Sequence, residues 1–322
     1  VPLAVTSLFF ADGGRQVFNG TDALRALVAS GLVVALVPRS QPTLRIGAAI
    51  GLIMVAAAFV LPTPVGGNAT RLSLLFAVPI VAAFAPLSRR LVAVAIVTVT
   101  VVQTPVTLGT LAGAGRPVTH AGYYQPLLDQ LAARGPLSGR IEVPELTGHW
   151  DAAYLARAAP LARGWLRQAD TRLNDDVFYR DPPNAASYRT FLDRNAVQYV
   201  AVPDARRTFY GRRETALIAA GLSYLRPLWH GRHWTLYVVA DAVPVVAQPA
   251  RLLSYGAAVI SLWAPAGADI AVRMRWFSRL RVSGPDGRGC LQRGGNQVVV
   301  VRTTVAGVYR ISSTVAGRGS TC

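Results

Sequence analysis

Four polar side chains fall within ten residues: Glu142, Glu145, His149 and Asp151. Carboxylates beside an imidazole can trade protons as general acid and base, and the same donors can hold a divalent metal as cofactor. The spacing fits a polar surface loop equally well, with Asp151 opening a helix whose N-terminal dipole favours a carboxylate. Trp150 and Tyr154 sit in the same stretch. Their flat apolar faces suit the stacking of sugar rings, and suit core packing too. Arg163 and Arg167 are four apart, a spacing that puts both on one face of a helix. Two guanidiniums there can hold a lipid phosphate through paired N–H donors. The plainer alternatives are a solvated basic face, or pairing with Glu142. Arg71 opens an apolar run and can reach a headgroup or lipid phosphate, as interfacial arginines do when they snorkel.

Other motifs carry less. Asp175-Asp176 resembles an acidic pair for metal but has no third ligand nearby. His120, His230 and His233 show no zinc spacing with the cysteines. Asn68-Ala69-Thr70 matches a glycosylation sequon. No nucleophile elbow, phosphate-binding Gly loop or catalytic triad is legible, so no catalytic residue and no metal site is assigned.

The elements around these residues divide the chain. Residues 1–22 read as an outer loop or the end of a span, and residues 23–112 as four transmembrane helices at 23–38, 46–61, 72–87 and 91–112. A span needs about 20 apolar residues; the first three runs fall slightly short of that alone, but four in succession joined by short loops point to a bundle rather than to core helices. Residues 113–242 alternate helical and strand patterns. The helices fall at 123–134, 151–158, 161–173, 185–195 and 212–220, and the strands at 140–143, 197–202, 223–229 and 234–239. Residues 243–322 show short strand-like runs between Gly, Pro and Asp turns, the pattern of a small β-sandwich. The predicted fold is a multi-pass α-helical membrane bundle, then an extracytoplasmic α/β domain, then a small all-β sandwich.

Charge orients the bundle. The 322-residue chain carries a net charge of +17, and its 33 basic residues are all Arg. They are scattered, which argues against a nucleic-acid partner. Mean hydropathy is +0.35. Arg39, Arg45, Arg89 and Arg90 fall on one side of the predicted spans, and Arg15, Arg71, Asp12 and Asp22 fall on the other. The positive-inside rule makes the first group cytoplasmic and places everything after residue 112 outside. The two cysteines, Cys290 and Cys322, then lie in an oxidising compartment and are expected to pair.

Four stretches carry a family likeness: GGNATRLSLLFAVPIVAAF at 66–84, GRIEVPELTGHWDAAYLA at 139–156, LARGWLRQAD at 161–170 and QYVAVPDA at 198–205. They resemble a group of actinobacterial multi-pass membrane proteins similar to GT-C glycosyltransferases. The resemblance covers about residues 9–237. It implies a polyprenyl-phosphate sugar donor, a lipid bilayer and a cell-envelope glycan as partners. It also implies a catalytic acid in a first outer loop upstream of Val1, in a longer protein of which this chain is the C-terminal part. The expected function is thus a GT-C-like, glycosyltransferase-related role in envelope glycan assembly. The rivals are a transporter or flippase, and a membrane-anchored glycan-binding module without catalysis. The predicted spans hold few polar residues, among them Thr98 and Gln103, where a transporter needs them.

Overall fold

The structure, a computed structural model, describes residues 14–102, 111–164, 166–256, 258–287, 289–295, 298–314 and 320–322. The chain forms two compact units. One is Val1–Arg116 together with Leu166–Leu173; the other is Pro117–Trp165 together with Asn174–Cys322.

In the first unit, helix α1 (Gly20–Leu36) starts at Asn19, whose side chain accepts the Thr21 N–H at 2.9 Å. Helix α2 (Pro42–Val60) opens on a proline, which lacks the N–H that a first turn leaves unpaired. A 3₁₀ turn (Gly66–Thr70) leads into α3 (Arg71–Phe84), and α4 (Arg89–Val102) follows. Ala29, Val33 and Val37 are buried with Ala77 and Val81 in one cluster. Small side chains let the backbones of α1 and α3 approach, and Ser30 and Ser73 share a buried hydrogen bond of 2.7 Å. Ile46, Ile50, Ile53 and Val60 of α2 are exposed, an apolar exterior.

The predicted four-span bundle is corrected here. Among the described residues only Pro42–Val60 and Gly66–Phe84, of 19 residues each, are long and apolar enough to cross a membrane. By length and composition they are compatible with membrane association. Helix α1 has 17 residues, and its first turns hold Asp22 and Arg25. Helix α3 alone has 14 and reaches span length only with its 3₁₀ turn. Of the predicted fourth span, residues 103–110 lie outside the described set. The remainder of the chain carries three β-sheets, so a multi-pass helical bundle does not describe the fold.

The second unit begins with α5 (Gln125–Ala132), β1 (Arg140–Glu142) and the short α6 (Trp150–Tyr154). Of the predicted helix 161–173, Leu161 bridges to Ile141 of β1 in parallel, and only α7 (Arg167–Leu173) is helical, grouped with the first unit. There Thr171 Oγ1 donates to the Arg15 carbonyl at 2.9 Å. The second unit continues with a π-helical turn (Asp175–Tyr179), α8 (Ala185–Arg194), β2 (Val197–Pro203), α9 (Phe209–Ala219), β3 (Leu225–His230) and β4 (Trp234–Val239). The four strands form one sheet in the order β1-β2-β4-β3, with β1 parallel to β2 and the other pairs antiparallel. Both faces are covered. Tyr199 and Ala201 of β2 pack with Leu127, Leu131 and Trp234, while Val200 packs with Phe178, Phe191 and Ile218. Strand alternation sends neighbouring residues to opposite faces, which explains the near-continuous burial of this strand.

Strands β5 (Arg251–Tyr255), β6 (Val259–Ala264), β7 (Asp269–Arg275), β8 (Leu280–Ser283), β9 (Cys290–Arg293), β10 (Val298–Arg302) and β11 (Gly307–Ser313) make two antiparallel sheets, β7-β10-β9 and β5-β6-β11-β8. Ile270, Val272, Val299 and Val301 of one sheet meet Ile260, Leu262, Tyr309 and Ile311 of the other in a single core. Cys290 and Cys322 are disulfide-bonded with Cα atoms 4.9 Å apart. The bond secures a terminal segment that also pairs in parallel with β9 through Leu291 and Thr321.

Candidate functional site

Because β1 and β2 are parallel, their C-terminal ends share one edge of the sheet, the edge where α/β sheets bind ligands. The two loops that leave this edge are tied together. Thr208 N–H donates to the Glu145 carbonyl at 3.0 Å, and Thr147 N–H donates to the Arg206 carbonyl at 3.1 Å. Gly211, in the first turn of α9, lies so close that a Cβ there would stand 2.3 Å from the Glu145 carbonyl oxygen. Only glycine allows this approach.

Four groups of side chains gather along the edge. The deepest is ionic. The Arg163 side chain, 6% exposed, lies between Glu142 and Glu214, both wholly buried, with ion-pair distances of 2.7 and 2.6 Å. Tyr188 Oη donates to Glu214 at 2.9 Å, and the Arg163 guanidinium stacks over the Phe178 ring at 3.9 Å. Burial, reinforced by the charges of Glu214 and Glu142, pushes the Tyr188 hydroxyl well above its ordinary pKa. Arg163 therefore crosslinks the site. It is not on the face of α7, because that helix starts at Arg167. Trp165 lies outside the described residues.

The second group holds the rest of the carboxylate–imidazole cluster. Thr208 Oγ1 donates to Glu145 Oε2 at 2.6 Å, and His149 Nε2 stands 4.0 Å from Glu145 Oε1. His149 adopts a left-handed backbone, φ 52° and ψ 27°, just before α6. Asp151 Oδ1 is buried and has no hydrogen-bond partner among the described residues. Burial raises the Asp151 carboxyl above its usual range, and a backbone hydrogen bond and the charges of His149 and Arg163 offset this only in part. Among the described residues no three His, Cys, Asp or Glu side chains come close enough to hold a metal ion. Asp175 and Asp176 point elsewhere, pairing with Arg180 at 3.0 Å and Arg194 at 3.1 Å.

The third group is an aromatic run. Trp150, 40% exposed, stacks with Tyr154 at 6.0 Å and 23°, and Tyr154 stacks with buried Tyr124 at 4.9 Å and 27°. Tyr154 Oη is fixed by the Thr119 carbonyl at 2.9 Å.

The fourth group was not legible in the sequence. Asp204, just past β2, accepts from Tyr123 Oη at 2.6 Å and meets His233 Nδ1 at 2.8 Å. The His233 ring stacks on Tyr123 at 4.7 Å. Burial alone would raise Asp204, but the hydrogen bonds from His233 and Tyr123 outweigh it and hold the carboxyl below its usual range. Arg207 stands close enough for its charge to interact with both Tyr123 and Asp204.

Arg71 is exposed at the start of α3, and Arg167 is half-buried at the start of α7. A cleft of about 420 Å³ lined by Leu128, Leu131, Leu252 and Tyr255 contains none of the sequence-predicted site residues. Comparison with family models, with curated proteins and with solved structures found no match.

Proposed function

We propose that this is a membrane-associated, GT-C-related protein of cell-envelope glycan assembly whose second unit holds a glycan beside the Trp150–Tyr154 stack. One observation carries the reading: an exposed indole, backed by two stacked tyrosines, lies next to His149, Glu145 and Asp151. The face of an aromatic ring is electron-rich and attracts the C–H groups of a pyranose, while polar neighbours fix the hydroxyls. The apolar exteriors of α2 and α3 support attachment to a bilayer. The Cys290–Cys322 bond supports a location outside the cytoplasm for the second unit, since such bonds persist in oxidising compartments. The donor implied by the family likeness is a polyprenyl-phosphate sugar.

Glycan binding by the full chain in detergent tests the reading. Trp150→Ala is expected to weaken binding about tenfold while leaving the melting temperature nearly unchanged, because the indole is exposed. Equal binding by the variant removes the site. Sugar transfer from a polyprenyl-phosphate donor separates an enzyme from a binding module, and a reporter fused after Gly115 with cytoplasmic-type activity overturns the location.

A further inference from the structure

A second cavity in the second unit, of about 210 Å³, is lined by Arg140, Arg194, Arg273 and Arg275, with Asn195 beside them. These arginines come from three elements: Arg140 opens β1, Arg194 ends α8, and Arg273 and Arg275 lie in the last residues of β7, where its pairing with β10 is irregular. Each is held in place. Arg140 Nη1 donates to the Asn195 carbonyl at 2.6 Å, and Arg273 Nη1 to the Pro244 carbonyl at 2.9 Å. Buried Asn174 offers its Oδ1 to Arg194 at 3.2 Å and to Arg275 at 3.3 Å. These carbonyl and amide oxygens orient the guanidiniums toward the cavity. Asp176 bridges Arg194 at 3.1 Å. The Nε of Arg194 is buried with no hydrogen-bond partner among the described residues.

Four cations converging on a half-buried cavity repel one another, and an anion placed among them relieves that repulsion. A guanidinium has five N–H donors in a planar fork that matches the oxygens of a phosphoryl group. The cavity has room for such a group. We propose that it binds a multiply charged oxyanion, a phosphate or diphosphate group. This does not depend on the glycan reading, because it uses different residues.

The test is calorimetric titration of the full chain in detergent with sodium pyrophosphate, inorganic phosphate, a polyprenyl phosphate in micelles, and sodium acetate as the singly charged control. Pyrophosphate or phosphate binding is expected, weakening with added salt and about tenfold weaker in the double variant Arg273→Gln, Arg275→Gln. Binding of the polyprenyl phosphate alone identifies a lipid-linked source; equal binding of the free anions identifies a soluble one. A second measurement needs no variant. Bound pyrophosphate is expected to slow phenylglyoxal modification of Arg194, Arg273 and Arg275, read by mass spectrometry, relative to exposed Arg226. No binding of any phosphate, or modification rates unchanged by it, overturns the proposal.

Discussion

Arg163 joins two carboxylates that come from different elements, Glu142 at the end of β1 and Glu214 in α9. A buried ion network contributes little over an apolar replacement of the whole set, yet removing one member strands the others. Arg163→Gln leaves two buried carboxylates facing each other and is expected to cost about 3–5 kcal/mol in denaturant unfolding. A loss within experimental scatter would show that the network does not hold the fold. Sequence spacing named both Arg163 and Glu142, and weighed their pairing, but Glu214 is 51 residues from Arg163 and no local pattern joins them. Asp204 gives a second residue-scale expectation. Its folded pKa is lowered, so it adds stability above the unfolded value near 3.9, and that stability is lost as pH falls through the folded value. Asp204→Asn is expected to melt below the parent at pH 7, with the gap closing as pH falls through the lowered folded value. A constant gap would mean that packing, and not the carboxylate charge, is what matters there.

At the scale of elements, the site exists because two loops meet at one sheet edge. The strands were readable: residues 197–202 and 234–239 are β-branched, aromatic runs that form β2 and β4. Their antiparallel register was not readable, and it is the register that opposes Pro203 to Trp234 and so brings Asp204 to His233. Helix lengths failed for a physical reason. Residues beside Arg163 pair with β1 instead, Ile141 N–H donating to the Pro160 carbonyl at 2.9 Å and Ala162 N–H to the Ile141 carbonyl at 2.8 Å, so the predicted common face of Arg163 and Arg167 never forms. The contact between α9 and the β1 loop rests on Gly211. Gly211→Ala forces a Cβ into the Glu145 backbone, and the expected result is a loss of about 1–3 kcal/mol together with weaker glycan binding. Wild-type stability and binding in this variant would show that the loop yields freely and that its position is unimportant.

At the scale of the molecule, the apolar first unit does not form the four spans that its composition suggested. Apolar composition alone does not distinguish a span from a shorter apolar helix; length does, and α1 and α3 fall short of it by themselves. Six of the seven strands of the two antiparallel sheets, by contrast, fall on short strand-like runs of the sequence such as 257–263 and 270–276, whose inward residues Ile260, Leu262, Ile270 and Val272 build the core, while β9 has no such run. Among the described residues the terminal segment is attached by Leu291 N–H to the Ser320 carbonyl at 2.7 Å, Ser320 N–H to the Leu280 carbonyl at 3.0 Å and Cys322 N–H to the Leu291 carbonyl at 3.0 Å. Without a covalent tie such a segment frays. The Cys290–Cys322 bond closes a loop with a sequence separation of 32, and loop-closure entropy for that length stabilises by about 3–4 kcal/mol. The double variant Cys290→Ser, Cys322→Ser is therefore expected to lower the urea midpoint at unchanged slope, and to speed amide exchange at Leu291 and Cys322 before it does so at Val299 in the core. An unchanged midpoint would mean that the strand pairing alone holds the terminus. Equal acceleration at Val299 would mean that the bond supports the whole sandwich and not its edge.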